Sequence, residues 1–144
     1  MRSCGIVTEY NPFHNGHRYH IEQARRVSGC DALLAVMSGN FVQRGECAIV
    51  DKWTRAKAAI QAGCDLVIEL PYPYVVQRSD IFARQAVALL QLAGIDTLVF
   101  GSETTDMQQL HRLGGDAFRN PKKILCGYLL RALSEAEKKR YFYG

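Results

Sequence analysis

A short apolar run, Cys4-Gly5-Ile6-Val7, leads directly into Glu9-Tyr10-Asn11-Pro12-Phe13-His14-Asn15-Gly16-His17, and a helical pattern follows. A strand that breaks at a proline turn and opens into a helix presents that helix's unpaired N–H groups and positive dipole end. This is a ready anion site. Gly16 brings no Cβ into the path of a phosphate or an adenine ring. His14 and His17 bracket it, His17 in the first helical turn. Two imidazoles with backbone amides can offset charge that builds on an α-phosphate during in-line attack. The plainer role for the same two rings is to cap the turn.

The rest of the chain repeats the alternation. Strands read as Ser3–Thr8, Ala32–Met37, Leu66–Glu69 and Thr97–Phe100, apolar almost throughout, as in a parallel sheet covered on both faces. Helices read as Gly16–Val27, with Ile21, Ala24 and Val27 inward, and as Lys52–Ala62, capped by Asp51 with a Trp53, Ala56 and Ile60 stripe. A third starts after Ser79, with Phe82, Ala86, Leu89, Leu90 and Ala93 on its buried face, and Gly63 and Gly94 stand at helix ends. The order predicts an α/β fold, a Rossmann-like doubly wound parallel sheet. Its ligands bind beyond the carboxyl ends of the strands, where the Pro12–His17 turn lies. Two connections, Ser38–Val50 and Pro71–Arg78, follow strands at that edge and read as functional loops.

Composition narrows the class. The chain has 144 residues, 48% hydrophobic and 22% charged, which suits one folded domain. A net charge of +4 fits an anionic partner such as a nucleotide or RNA. Cys4, Cys30, Cys47, Cys64 and Cys126 form no metal-binding or disulfide spacing and read as reduced, mostly buried thiols. Met1 precedes a strand and no segment is long enough to span a bilayer, so the expectation is a soluble cytoplasmic protein without a leader or membrane partner. No resident metal site is expected. No low-complexity tract or internal repeat is read.

Other residues invite two readings. Arg44, in Gln43-Arg44-Gly45-Glu46, can steady a phosphate or pair with Glu46. Lys52, Arg55 and Lys57 can follow an RNA backbone or form a solvated helix face. Glu69 and Asp80 are possible cation partners. Tyr72, Tyr74 and the terminal Tyr141-Phe142-Tyr143 can stack on bases or pack in a core or lid.

His14-Asn15-Gly16-His17 resembles the His-x-Gly-His signature of the nucleotidyltransferase superfamily. Further blocks follow in order: Val36-Met37-Ser38-Gly39-Asn40-Phe41, Gln43–Glu46, Val50-Asp51-Lys52-Trp53-Thr54-Arg55, Asp65–Pro71 and Leu98-Val99-Phe100-Gly101-Ser102-Glu103. Together they resemble the bacterial tRNA(Met) cytidine acetate ligase family from Met1 to about Thr105. The resemblance implies that acetate attacks the α-phosphate of ATP, with Mg2+ as the nucleotide's expected companion, to give acetyl-adenylate and pyrophosphate. The wobble cytidine amine of elongator tRNA(Met) then takes the acetyl group. It implies ATP contacts at Val7, Thr8, Glu9, Tyr10, Asn11, Pro12, Phe13, His14, Asn15, Gly16, His17, Arg18, Tyr19 and His20, and at Gly101, with His14 and His17 catalytic. Gly101 also ends the last strand at the same sheet edge, where a missing side chain leaves room for adenine or ribose.

The expected division is a nucleotidyltransferase-like ATP-binding domain over 1–115 and a divergent helical tail over 116–144. Met107–Leu113 reads as a helix, Gly114-Gly115 as its break, Leu125, Leu129, Ala132 and Leu133 as helical spacing, and Ser134 with Glu137 as a capping box. No strand is expected there. Family members are longer and add an Asn and an Arg to the ATP site, roles that neither Asn120 nor Arg131 matches by position. The chain therefore reads as truncated. Two alternatives stay open: another small-molecule adenylyltransferase, or a nucleotide- or RNA-binding remnant without turnover.

Overall fold

In the computed structural model, which describes residues 1–102 and the strand at 123–128, the chain runs β1 (Ser3–Thr8), α1 (Asn15–Ser28), β2 (Ala32–Ser38), α2 (Lys52–Ala62), β3 (Leu66–Leu70), α3 (Tyr72–Val75), α4 (Ser79–Leu92), β4 (Thr97–Ser102) and β5 (Lys123–Tyr128). The strands are all parallel, in the order β3-β2-β1-β4-β5. The chain steps outward from β1 to β3, then returns to the other side of β1. That reversal is the switch point of a doubly wound sheet. The ladder is short there: β1 meets β4 only at Cys4↔Thr97 and Gly5↔Leu98, while it pairs with β2 from Ser3↔Ala32 to Thr8↔Met37. Past Gly5 the ladder between them ends.

Alternate residues of each strand feed two cores. Cys4, Ile6, Leu33, Ala35, Met37 and Val99 face Ile21 and Ala24 of α1 and Ala59 of α2. Leu34, Val36, Leu70 and Leu98 face Val75 of α3 and Ala86, Val87 and Leu90 of α4. Burial on both faces explains why the strands read as continuous apolar runs.

At the amino edge of the sheet a three-residue element recurs, Gly29-Cys30-Asp31, Gly63-Cys64-Asp65 and Gly94-Ile95-Asp96. Each glycine has positive φ, 57°, 122° and 81°, and turns the chain out of a helix. Each aspartate then accepts a backbone N–H from a neighbouring strand's start: Asp31 from Arg2 at 2.7 Å, Asp65 from Leu33 at 2.7 Å, Asp96 from Ser3 at 3.0 Å. The carboxylates thus satisfy orphan donors and fix strand register. This recurrence departs from the expectation of no internal repeat.

Several expectations need correction. Val27 and Ala93 are exposed rather than buried, because each lies at the fraying end of its helix. Lys123–Tyr128 is strand β5, with Leu125 opposite Val99, so the helical spacing through Leu125 does not describe that segment. The Pro71–Arg78 connection contains the single turn α3. The segments expected at 107–115 and 134–144, with Asn120 and Arg131, lie outside the described residues.

The largest departure is α2. Trp53 is 75% exposed and Ile60 is also exposed, while Arg55 and Ala59 face inward. Arg55 is 1% exposed. Its Nε donates to Val50 O at 2.8 Å, its Nη1 to Glu9 O at 2.6 Å and Ser38 O at 3.2 Å, and its Nη2 to Gly39 O. A guanidinium meets four carbonyls, three just at or beyond the ends of β1 and β2 and one just before α2, so the helix rotates its arginine inward and its tryptophan outward. Ala59, fully buried, lets the helix approach. Replacing Arg55 by Met strands those acceptors. Chemical denaturation should show a loss of about 3–5 kcal/mol, with Arg55→Lys recovering only part because an ammonium lacks the planar fork.

Candidate functional site

The site begins where β1 stops. Tyr10 takes a left-handed backbone, φ 53°, uncommon for a side chain of its size. The turn sends its ring into the core, 1% exposed, where it meets the rings of Phe13 and His17 edge-on, each at 4.9 Å. Burying that ring against two others offsets the backbone cost. The Asn11–Pro12 peptide is cis, and the chain then enters α1 through His14.

The two histidines cap each other's turn. Gly16 N donates to His14 Nδ1 at 3.1 Å, and His14 N donates to His17 Nδ1 at 3.2 Å. The rings stack with centroids 3.7 Å apart. An Nδ1 that accepts a backbone N–H carries no proton, so each neutral ring holds its proton on Nε2. Burial pushes the His17 imidazole down to about 4, with His14 and His20 adding to the fall. Burial also lowers His20, whose Nε2 has no partner among the described residues. His17 is therefore a neutral donor at physiological pH. Any stabilisation it gives to phosphate charge comes from the Nε2–H dipole rather than a formal positive charge.

The connection after β2 folds over this turn. Gln43 N donates to Glu9 Oε2 at 2.8 Å and Ile49 N to Asn11 Oδ1 at 2.7 Å. A bridge between Phe41 and Cys47 and the bond from Val42 N to Glu46 O, 2.9 Å, narrow it to a hairpin-like loop. Between loop and turn lies an open cleft of about 420 Å³, within the range of small-molecule sites. Glu9, Tyr10, Asn11, Pro12, His14 and His17 line one side, and Val42, Arg44 and Glu46 the other.

Arg44 is exposed in this cleft and makes no salt bridge among the described residues, with Glu46 or otherwise. The structure thus brings Arg44 to the two histidines. Of the remaining residues expected at the site, Val7, Thr8 and Tyr19 pack inward, Phe13 is half-buried, and Asn15 and Arg18 face solvent. Gly16 sits in the first turn of α1. Gly101 stands at the carboxyl end of β4, the same edge as the turn, but does not line the cleft.

Of the two readings of Lys52, Arg55 and Lys57, neither a shared RNA-facing surface nor a shared solvated face is assembled. Arg55 is inside, and Lys52 Nζ pairs with Glu69 Oε2 at 2.7 Å. Asp80 pairs with Arg78 at 3.2 Å. Cys4 and Cys64 are buried and pushed up to about 12 by burial, whereas Cys47 is exposed. The pinning roles of Glu9 and Asn11 go beyond the ATP contacts expected of them. Their signal was a pair of acceptor side chains flanking a tight turn opposite a long loop.

The sequence model of the family described as HIGH Nucleotidyl Transferase matches residues 1–135. A tRNA(Met) cytidine acetate ligase of Leuconostoc citreum (strain KM20) is 56% identical over 133 residues, 88% of this chain and 34% of its own length. One of Bacillus subtilis (strain 168) is 56% identical over 108 residues, 75% of this chain and 26% of its own. The crystal structure of Thermotoga maritima TmcAL bound with alpha-thio ATP is 48% identical, with a TM-score of 0.75, covering 78% of this chain and 28% of that one. The chain spans about a quarter to a third of the length of the curated relatives it matches. Its sheet order places the His14–His17 turn at the switch point, and with residues 1–135 matched, the chain belongs to the HIGH nucleotidyl transferase family.

Proposed function

We propose that the cleft between the His14–His17 turn and the Arg44 loop binds ATP. In the whole protein that ATP would activate acetate for transfer to the wobble cytidine of elongator tRNA(Met). The observation that carries this reading is the convergence of His14, His17 and Arg44 on one cleft at the start of α1. The likeness to a TmcAL crystal structure with alpha-thio ATP supports it. An acetate oxygen attacks the α-phosphorus and pyrophosphate leaves, so negative charge gathers on the phosphate oxygens. The Nε2–H donors of His14 and His17 and the first N–H groups of α1 stabilise that charge, and the Arg44 guanidinium holds the departing pyrophosphate. In the second step the cytidine amine attacks the acetyl carbon, AMP leaves, and the amine gives up a proton.

Magnesium accompanies the nucleotide in this proposal, held mainly by phosphate oxygens and water. Among the described residues no three His, Cys, Asp or Glu side chains gather as a metal cage. Glu46 is the cleft carboxylate without a backbone partner among them. No described helix is long and apolar enough to cross a membrane, and we place the protein in the cytoplasm with its tRNA. The nucleotide-binding domain expected over 1–115 is in this proposal extended to take in β5, which pairs with β4 in the same sheet and so is not part of a separate tail.

His17→Gln is the sharpest test, because Gln at this position keeps an acceptor for the His14 N–H. Calorimetry should show ATP affinity falling by about tenfold for His17→Gln and for Arg44→Gln, the loss expected for one charge-assisted partner. Acetate-dependent exchange of pyrophosphate into ATP should fall with it. Exchange that needs a phosphorylated acceptor instead of acetate would identify another adenylyltransferase. Binding without any exchange would identify a remnant.

The depressed His17 adds a pH signature. The unfolded imidazole takes its proton near 6.5 and the folded one only near 4. As pH falls through that window the unfolded state binds more protons, so folding stability falls. Urea denaturation should show wild type losing stability relative to His17→Gln between pH 7 and pH 4.5, chosen to bracket most of the interval.

A further inference from the structure

A second hollow opens at the carboxyl ends of β2 and β3, about 200 Å³ in volume, lined by Gly39, Phe41, Glu69, Leu70, Tyr72 and Val75. The loop after β2 divides it from the cleft. Residues 39–41 face the hollow, whereas Val42, Arg44 and Glu46 face the cleft. An occupant of the hollow and a nucleotide in the cleft would thus be neighbours across a single loop.

Two features define what fits. Phe41 and Tyr72 meet edge to face at 5.3 Å, and both are left in water, 38% and 56% exposed. Aromatic faces beside a hollow accept a flat ring by stacking. The second feature is Glu69. Its Oε2 takes Lys52 Nζ at 2.7 Å, while its Oε1 lies so close over Gly39 that a Cβ there would collide with it. Among the described residues no donor reaches Oε1.

Size then narrows what fits. The volume is below the about 300–1,000 Å³ of sites for larger ligands and suits one six-membered ring. An exocyclic amine supplies the donor that Oε1 lacks. We propose that this hollow receives the acceptor base, a neutral aminopyrimidine, stacked on Phe41 and Tyr72 with its amine donating to Glu69. The inference rests on the acetyl-transfer reading above and assigns its second substrate a place.

Amide NMR spectra of the intact chain, titrated separately with cytidine, uridine and ATP, test it. Cytidine should shift the amides of Gly39, Phe41, Glu69 and Tyr72, and uridine, which lacks the amine, should bind about tenfold more weakly. Tyr72→Ala and Glu69→Ala should each weaken cytidine by about tenfold, leaving the ATP-induced shifts at His14–His17 unchanged. Cytidine shifts confined elsewhere, or indifferent to both variants, overturn the base subsite while the ATP site stands. Loss of the ATP response at His14–His17 in wild type would instead overturn the ATP reading.

Discussion

A single buried cation organises the carboxyl edge of this sheet. Arg55 reaches from α2 to carbonyls at the ends of β1 and β2 and at the start of its own helix. Strand ends at a ligand-binding edge face a general difficulty: the chain must leave the ladder, yet its carbonyls stay below the surface where water does not reach. One guanidinium satisfies three of them, and a fourth carbonyl just before its own helix. It keeps its charge although burial lowers its affinity for a proton, an effect that Glu9, Asp51 and Glu69 oppose. A fixed positive charge therefore lies beneath the floor on which Glu9 and Gly39 sit. Both cavities are built on that floor, which is why the mildly basic composition matters less than where one arginine is placed.

The opposite edge is finished by the opposite charge. There the three Gly-x-Asp turns spend aspartate carboxylates on backbone N–H groups, closing the amino ends of β1 and β2. The two ends are thus finished differently: hydrogen-bonded carboxylates fix strand starts at one, while imidazole donors and Arg44, with Glu9 and Glu46 beside them, line the cleft at the other. The short β1–β4 ladder adds the third condition, since it ends before the edge where those groups converge.

The sheet was legible in the sequence because burial on two faces leaves nearly continuous apolar runs, and the turn was legible because Pro12, Gly16 and the paired histidines stand directly behind one of them. What stayed hidden has a common cause. Arg55 reads as a solvent residue unless its carbonyl partners are known, and those come from positions 9, 38, 39 and 50. Trp53 reads as core by the same reasoning in reverse. For β5, the short run Ile124-Leu125-Cys126 suits either a strand or one face of a helix, and only pairing with β4 decides. Gly-x-Asp is too short to register as a repeat until three carboxylates are seen doing one task.

The histidine pair shows how a structural and a chemical role can be the same role. A cap and a ligand donor look like rival uses of an imidazole, but they require different nitrogens. The backbone N–H groups of Gly16 and His14 occupy Nδ1 of the two rings. That leaves Nε2–H as the donor each neutral ring can offer, and it removes the freedom to choose the other tautomer. Stacking at 3.7 Å and the Tyr10 ring at 4.9 Å hold the orientation as well. Preorganised donors stabilise developing charge best because they need not reorient when it appears. The hydrogen bonds that start α1 thereby set the protonation pattern of the site, and a residue that merely capped the helix, such as serine, would start it equally well without providing a donor of that reach.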